Sequence, residues 1–144
     1  MKEKTCAIVG RQDLSEDEAE QLKQRLFIEI SRAIDDGYTR FISGIVSTVE
    51  LCFAEVVAEK KKENPNIKLE AALPTYREMK KRGGKVNEII NACDCMESHR
   101  NRFKYMAQES ERLIAVYTER DSGNTEAVTR YAMTLNRDVY IVFS

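Results

Sequence analysis

The chain has 144 residues, of which 42% are hydrophobic and 33% are charged, and its formal net charge is −1. This composition predicts a single folded domain over residues 1–144 and argues against a disordered chain. The near-neutral charge argues against broad binding to nucleic acid or to an anionic membrane surface, and no apolar run approaches membrane-spanning length.

The start of the chain and its cysteines point to the same compartment. The first residues lead directly into an apolar run, without the hydrophobic region and cleavage site of a secretory signal, so we expect a cytoplasmic protein. The four cysteines lie within predicted strands and helices, as is typical of a reducing compartment. They are Cys6, Cys52, Cys93 and Cys95. Because Cys93 and Cys95 lack a second ligand pair at zinc spacing, we expect no metal site.

The chain opens with a predicted strand and helix. The apolar run of residues 5–9, which ends at Gly10, predicts a strand buried on both faces of a parallel sheet. Ser15 and Glu18 have the spacing of a capping box, and apolar residues recur at helical spacing over residues 19–34. A strand followed by an amphipathic helix is therefore the first unit of the fold.

The same alternation continues to residue 73. Residues 39–43 predict a second strand, residues 47–63 a helix that begins at Ser47 or Thr48, and residues 67–73 a third strand. With right-handed crossovers, this order gives parallel strands with helices on both faces. From residue 74 to residue 92 the pattern weakens, and we expect a loop and a broken helix.

The second half of the chain adds the remaining elements. We expect a short strand at residues 93–96, a helix at 98–110, a strand at 113–117, a helix at 124–135 and a strand at 139–143. The last helix is expected to bury Ala127, Val128, Tyr131, Ala132 and Leu135. The sequence therefore predicts a doubly wound α/β domain with a five- or six-stranded, mostly parallel sheet.

Polar turns follow several of the predicted strands, at the sheet edge where ligands bind in folds of this class. At two of them, Ser43-Gly44 and Ser122-Gly123, the chain passes from a strand through a short turn into a helix, whose first N–H groups can bind an anion. We therefore predict an anion site at this edge. Its residues are Gly10, Arg11, Ser43, Gly44, Ser47, Thr48, Ser122, Gly123, Asn124 and Thr125.

Both turns also have a purely structural interpretation. Ser47 and Glu50 have capping-box spacing, and Ser122 or Asn124 could be an ordinary N-cap. The presence of two such turns at strand ends in one small domain favours the interpretation as a binding site.

Several segments, spread in order over nearly the whole chain, resemble the YpsA-type domain of the SLOG superfamily. These segments are Thr5-Cys6-Ala7-Ile8-Val9-Gly10, Gly37-Tyr38-Thr39-Arg40-Phe41-Ile42-Ser43-Gly44, Ala54-Glu55-Val56-Val57, Ile67-Lys68-Leu69-Glu70-Ala71-Ala72-Leu73-Pro74, Leu113-Ile114-Ala115-Val116-Tyr117 and Arg130-Tyr131-Ala132. The superfamily also holds the lonely guy phosphoribohydrolases, the lysine-decarboxylase-like proteins and DNA-processing protein A. The resemblance implies a Rossmann-like fold that binds a nucleotide or nucleotide-derived ligand, often as a homodimer.

The sequence departs from the family pattern at the site itself. Gly10-Arg11-Gln12-Asp13 stands where the family usually has Gly-His-Arg-Pro, and Ser122-Gly123-Asn124-Thr125 stands near the usual Gly-Gly-Thr. Thr48 replaces a glycine of the second loop, and Glu50 stands in place of its aspartate. A β-branched residue where glycine allows close backbone approach narrows the space for a phosphate.

The lonely guy enzymes suggest a catalytic pair. Arg102-Phe103-Lys104-Tyr105-Met106 fits their Arg-x-x-x-Met helix, and Thr125-Glu126 approximates the position of their glutamate. The resemblance implies that Arg102 binds phosphate or ribose oxygens and that Glu126 steadies a ribosyl cation. The opposing interpretation is that Arg102 is a surface ion-pair partner and that Glu126 is favoured by the helix dipole.

Three functional hypotheses remain open at this point. The leading one is a module that binds or senses a nucleotide-derived ligand, with a homo-oligomer as the expected assembly. The second is a nucleotide N-glycosidase of lonely guy type, and the third is a degenerate domain that acts as a protein-interaction unit. A role on single-stranded DNA, by analogy with DNA-processing protein A, is disfavoured by the net charge.

Overall fold

A computed structural model describes residues 3–10, 14–45, 47–73, 84–99, 101–117 and 123–143. Strands and helices alternate along the chain in the order that the sequence predicts. They are β1 (Thr5–Val9), α1 (Glu16–Asp35), β2 (Arg40–Ser43), α2 (Thr48–Glu63), β3 (Lys68–Leu73), α3 (Gly84–Ala92), β4 (Cys95–Ser98), α4 (Arg102–Glu109), β5 (Arg112–Tyr117), α5 (Asn124–Thr134) and β6 (Asp138–Phe143).

The sheet confirms the predicted fold class. Its six strands are all parallel and lie in the order β4-β3-β2-β1-β5-β6. The chain moves outward from β1 in one direction through β4 and then returns to the other side of β1 with β5. The strand order therefore reverses between β1 and β5, which is where open α/β sheets bind their ligands.

Two apolar cores cover the two faces of the sheet. Helices α1, α2 and α3 pack on one face, where Phe41 and Phe53 are both fully buried. Helices α4 and α5 cover the other face, where Met106 and Ala132 are buried against β1 and β5. Alternate residues of each central strand face opposite cores, which explains their continuous apolar runs.

Local capping signals place helix α1 as predicted. Ser15 and Glu18 form both hydrogen bonds of a capping box. At the other end, Gly37 has a φ of 95°, a left-handed conformation that glycine adopts at low cost.

Two boundaries differ from the prediction because long-range pairing sets them. Strand β4 begins at Cys95, two residues later than expected, since Cys95 pairs with Glu70 and Ser98 with Leu73. Helix α4 then begins at Arg102, where the Asn101 side chain accepts a hydrogen bond from the Lys104 N–H at 3.1 Å. Of the loop and broken helix predicted over residues 74–92, the structure describes only α3 (Gly84–Ala92), and residues 74–83 lie outside the described residues.

The prediction for the buried face of α5 is wrong at Ala127, which is exposed. The buried stripe runs instead through Thr125, Thr129 and Ala132. The Thr129 hydroxyl donates to the Thr125 carbonyl oxygen at 2.7 Å. Because this bond satisfies the hydroxyl, a threonine can occupy a buried position that a purely apolar pattern does not reveal.

A buried arginine, Arg112, holds together the amino edge of the sheet. This edge is opposite to the carboxyl edge, where folds of this class bind their ligands. Its guanidinium lies between the rings of Tyr38 and Tyr140, at 4.6 and 4.4 Å from their centroids. It also pairs with Asp36 at 2.8 Å and with Asp138 at 3.4 Å. These contacts join the end of α1 to the first residues of β5 and β6.

All four cysteines are free thiols. Burial raises the pKa of Cys6 to about 12 and that of Cys93 to about 11. Among the described helices, none is both long and apolar enough to cross a membrane.

Candidate functional site

The predicted site residues that the structure describes lie at the carboxyl ends of β1 and β2 and at the first turns of α2, α4 and α5. Gly10 directly follows β1, and Gly44 directly follows the last residue of β2. A side-chain atom at Gly10 would approach Val49 Cγ1 to 2.6 Å, so α2 and β1 pack closely there. Arg11 and Ser122 fall outside the described residues.

The turn after β2 is held by the side chain of Ser43. The buried Ser43 hydroxyl donates to the Glu50 carbonyl oxygen at 2.8 Å and accepts from the Ile45 N–H at 3.4 Å. Ile45 has a φ of 50°, a conformation that is costly for a β-branched residue. The one proton of the Ser43 hydroxyl is therefore already donated within the chain.

The capping box predicted at α2 is present. The Glu50 N–H donates to the Ser47 hydroxyl oxygen at 3.2 Å, and the Ser47 N–H donates to Glu50 Oε1 at 3.1 Å. The Ser47 hydroxyl itself donates to the Gly10 carbonyl oxygen at 2.7 Å, which ties α2 to the end of β1. The predicted capping role of Ser47 is thus confirmed. The proton of its hydroxyl group is not available to a ligand while the hydrogen bond to Gly10 lasts.

The carboxylate of Glu50 lies at the positive end of the α2 dipole. The sequence identified this residue as part of a cap and as the acid that stands where the resembled family has an aspartate, and the structure shows that it is completely buried. Its burial could have been suspected because it lies one residue after the buried Val49, in a turn that also contains Cys52 and Phe53. An anion predicted at this turn would meet a negative charge that belongs to the chain.

Arg102 is the partner of this buried carboxylate. Arg102 Nη2 lies 3.6 Å from Glu50 Oε1, and the exposed fraction of the arginine side chain is only 8%. The guanidinium also lies 4.3 Å from the centroid of the Phe103 ring. Arg102 is therefore not the surface residue that a first position on an amphipathic helix suggests.

The Glu50–Arg102 pair is incompletely hydrogen-bonded. Glu50 Oε2, Arg102 Nε and Arg102 Nη2 are buried atoms without a hydrogen-bond partner within the described parts of the chain. An unpaired buried polar atom costs about 1–3 kcal/mol, and more when it carries charge. The pair thus keeps one acceptor and two donor atoms buried without a hydrogen bond at the carboxyl edge of the sheet.

Gly44 is required by the close approach of this pair. A Cβ atom at Gly44 would lie 1.8 Å from Glu50 Oε2 and 2.8 Å from Arg102 Nε. Both distances are far below van der Waals contact, so any side chain here displaces one of the two charged groups. The glycine that the sequence assigned to an anion turn instead covers the buried ion pair.

The first turn of α5 differs from that of α2. Its N-cap is Gly123, with a φ of 91° and no side-chain capping bond, and Asn124 is the first helical residue. Thr125, the second residue of α5, is buried, as is Val49 at the corresponding place in α2, whereas Thr48 at the first position of α2 is half-buried. A Cβ atom added at Gly123 would have no described atom within 4 Å apart from its chain neighbours.

The structure does not bring the two predicted catalytic residues together. Glu126 is about half exposed and pairs with Arg130 on the same helix at 2.8 Å. The carboxylate beside Arg102 is that of Glu50. The position of Glu126 is the one that the helix dipole favours in a first turn.

A polar network fixes helix α4, which carries Arg102. The Tyr105 hydroxyl donates to Glu70 Oε2, and Arg40 donates to Glu70 Oε1 at 2.7 Å and to Glu109 at 3.2 Å. Burial, followed by the hydrogen bond to Glu70, raises the pKa of Tyr105. His99 stacks on the Tyr105 ring with 3.6 Å between centroids.

The described part of this edge combines a buried ion pair with the first turns of three helices. Within the described ranges, no three His, Cys, Asp or Glu side chains cluster closely enough to hold a metal ion. The chain matches no protein-family model and no curated protein.

Proposed function

We propose that the chain binds a nucleotide or nucleotide-derived ligand at the carboxyl edge of its sheet, near the reversal of strand order. The observation that carries this proposal is the buried Glu50–Arg102 pair, whose unpartnered atoms lie at this edge. Native proteins rarely bury charged atoms without hydrogen bonds, so this pair calls for an explanation. The resemblance to the YpsA-type domain supports the same ligand class.

The phosphate of this ligand would bind at the first turn of α5. The α2 terminus already holds the Glu50 carboxylate, whereas the N-cap of α5 is a glycine with a left-handed φ of 91°. N–H groups and the dipole of a helix start favour a phosphate. On this proposal the start of α5 at Gly123 contacts the anion, the buried Thr125 supports that turn, and Ser43 and Ser47 shape the site without contacting the anion.

A thermal-shift screen tests the proposal directly. AMP, ADP-ribose, NAD, cyclic nucleotides and ATP are added to the full chain, with inorganic phosphate as the control. A ligand at 100 times its dissociation constant stabilises the fold by about 2.7 kcal/mol, so we expect at least one nucleotide to raise the melting temperature. If no nucleotide stabilises the chain at any concentration, the proposal is wrong.

A nucleotide N-glycosidase is the second candidate, and the position of Arg102 favours it. A buried arginine beside a carboxylate could bind a ribose and steady its developing positive charge. In this version Glu50 takes the role that the sequence suggested for Glu126. Release of free base from a stabilising nucleotide would support the enzyme, and binding without release would leave the module that only binds.

The capped terminus of α2 favours the third candidate, a degenerate interaction unit. Ser43, Ser47 and Glu50 satisfy one another and leave little for a ligand at that turn. The thermal-shift screen separates this candidate from the nucleotide-binding module, since an interaction unit predicts no stabilisation by any nucleotide.

The cytoplasmic location predicted from the sequence stays a prediction.

We propose a second copy of the chain as the partner of the β6 edge. The other edge strand, β4, is short and carries the exposed Glu97, as is typical of edges that avoid pairing. Strand β6 has six residues, and Ile141 and Phe143 are 46% and 68% exposed. An antiparallel two-fold pairing of β6 keeps the two Asp138 carboxylates at opposite ends.

Light scattering tests this dimer. The wild-type chain is expected to have the mass of two copies, and Ile141→Lys is expected to give one copy, because an edge lysine disfavours strand pairing. Met96→Lys, at the exposed Met96 of β4, is the matched control and should leave the dimer intact. A monomeric wild type, or equal effects of the two lysines, would contradict the proposal.

A further inference from the structure

We infer that the base of the nucleotide binds in the groove between helices α4 and α5, next to the phosphate at the start of α5. This inference rests on the proposed function, because it places a second part of the same ligand beside the proposed phosphate position. It goes further by assigning the base to accessible side chains of two helices.

The groove between α4 and α5 has a volume of about 300 Å³, at the lower end of the range of pockets that bind small molecules. It is lined by Asn101, Phe103, Lys104, Ala127, Val128 and Tyr131. Phe103, Val128 and Tyr131 are half-buried, and Ala127 is exposed. A ligand therefore reaches these side chains without opening the core.

The groove lies beside the proposed phosphate position. Both helices begin at the carboxyl edge of the sheet, and Asn101 is the N-cap of α4. Farther from this edge, Gln108 Nε2 donates to the Tyr131 hydroxyl oxygen at 3.0 Å and joins the two helices. Ala127 lies one helical turn, about 5.4 Å, beyond the N-cap Gly123. A ribose can span such a distance between its 5′-phosphate and its base.

The lining of the groove fits a flat aromatic base. Bases stack on aromatic side chains, and Phe103 and Tyr131 supply one ring from each helix. The Arg102 guanidinium lies 4.3 Å from the centroid of the Phe103 ring and so helps to orient it. Asn101 Oδ1 accepts from the Lys104 N–H, which leaves the Nδ2 group of this amide as a donor for a base.

The charge of the groove favours an anionic ligand. Among the described residues that line it, Lys104 is the only charged one, and it is exposed. A larger groove of about 440 Å³ lies between α1 and α2, where three glutamates outnumber two lysines among the described lining residues. Because a nucleotide is negatively charged, the groove between α4 and α5 is the better match.

The test compares AMP and GMP with ribose 5-phosphate on the full wild-type chain by calorimetry. All three carry the phosphate and the ribose, and only the nucleotides carry a base. Because a stacked base adds affinity, we expect at least one nucleotide to bind about tenfold more tightly than ribose 5-phosphate. Equal affinities would overturn the inference and leave the proposed function standing, whereas no binding by these or by any nucleotide of the thermal-shift screen would remove both.

Two variants locate the base. Ala127→Trp fills the groove from an exposed position of α5, and Phe103→Leu removes one aromatic ring but keeps an apolar side chain. We expect both to bring the affinity for the nucleotide close to that for ribose 5-phosphate, whose own affinity stays unchanged. Met133→Trp, at the exposed Met133 of the same helix, is the matched control and should leave the ratio of the two affinities as in the wild type. An unchanged ratio in folded Ala127→Trp and Phe103→Leu would overturn the assignment to this groove.

Discussion

Gly44→Ala is expected to lower the free energy of unfolding by about 3 kcal/mol, the upper end of the cost of overpacking. The added Cβ would lie 1.8 Å from Glu50 Oε2, and this carboxylate cannot move without losing its bond to the Ser47 N–H. The substitution therefore also disturbs the buried pair with Arg102. Urea unfolding followed by circular dichroism measures the change.

Two controls separate this clash from ordinary effects on the backbone. Gly123→Ala should cost only about 1 kcal/mol, because its φ of 91° strains alanine while no atom lies within 4 Å of the added Cβ. In a Glu50→Ala background, Gly44→Ala should cost clearly less than in the wild type, since Glu50 Oε2, the nearer of its two steric partners, is gone and only Arg102 Nε remains close. Similar costs in both backgrounds would mean that Gly44 does not cover the pair.

Arg102→Met is expected to destabilise the chain by about 3–5 kcal/mol, because it leaves the Glu50 carboxylate buried without its cation. Replacing both charges, as Arg102→Met with Glu50→Gln, should recover much of that loss, since no uncompensated buried charge then remains. Chemical denaturation of the single and double variants measures both values.

A surface arginine provides the matched control for this prediction. Arg130→Met removes the exposed i,i+4 pair with Glu126 and should cost at most about 0.5 kcal/mol. A cost of Arg102→Met as small as that of Arg130→Met would contradict a buried pair. Because Arg102→Met is expected to lower stability, binding experiments on this variant include a measurement of its stability.

Local signals in the sequence were sufficient for most of the fold. The apolar run of β1 and the capping box of Ser15 and Glu18 lie within a few residues of one another, and both appear in the structure as predicted. The start of β4 was two residues off, because its register depends on pairing between Cys95 and Glu70 across the sheet. Pairing between distant segments leaves no local signal.

The sequence predicted the residues at the centre of the candidate site but not their contacts. The sequence identified Gly44 and Arg102, and it identified Glu50 as part of a cap, yet it did not connect the three. Their contact depends on α4 and α2, which lie on opposite faces of the sheet, meeting at its carboxyl edge. The sequence of neither helix alone indicates this contact. The resemblance to the lonely guy enzymes pointed to Glu126 instead.

Nuclear magnetic resonance of the arginine side chains tests whether the nucleotide binds at the carboxyl edge of the sheet, because two of the described arginines are buried at opposite edges of the sheet. Arg102 lies at the carboxyl edge, and Arg112, whose exposed fraction is 6%, lies at the amino edge. On titration with AMP, we expect the Nε–H resonance of Arg102 and the amide resonance of Gly44 to shift, while the Nε–H resonance of Arg112 stays unchanged. Shifts confined to Arg112, or an unchanged Arg102 in a chain that binds AMP, would contradict it.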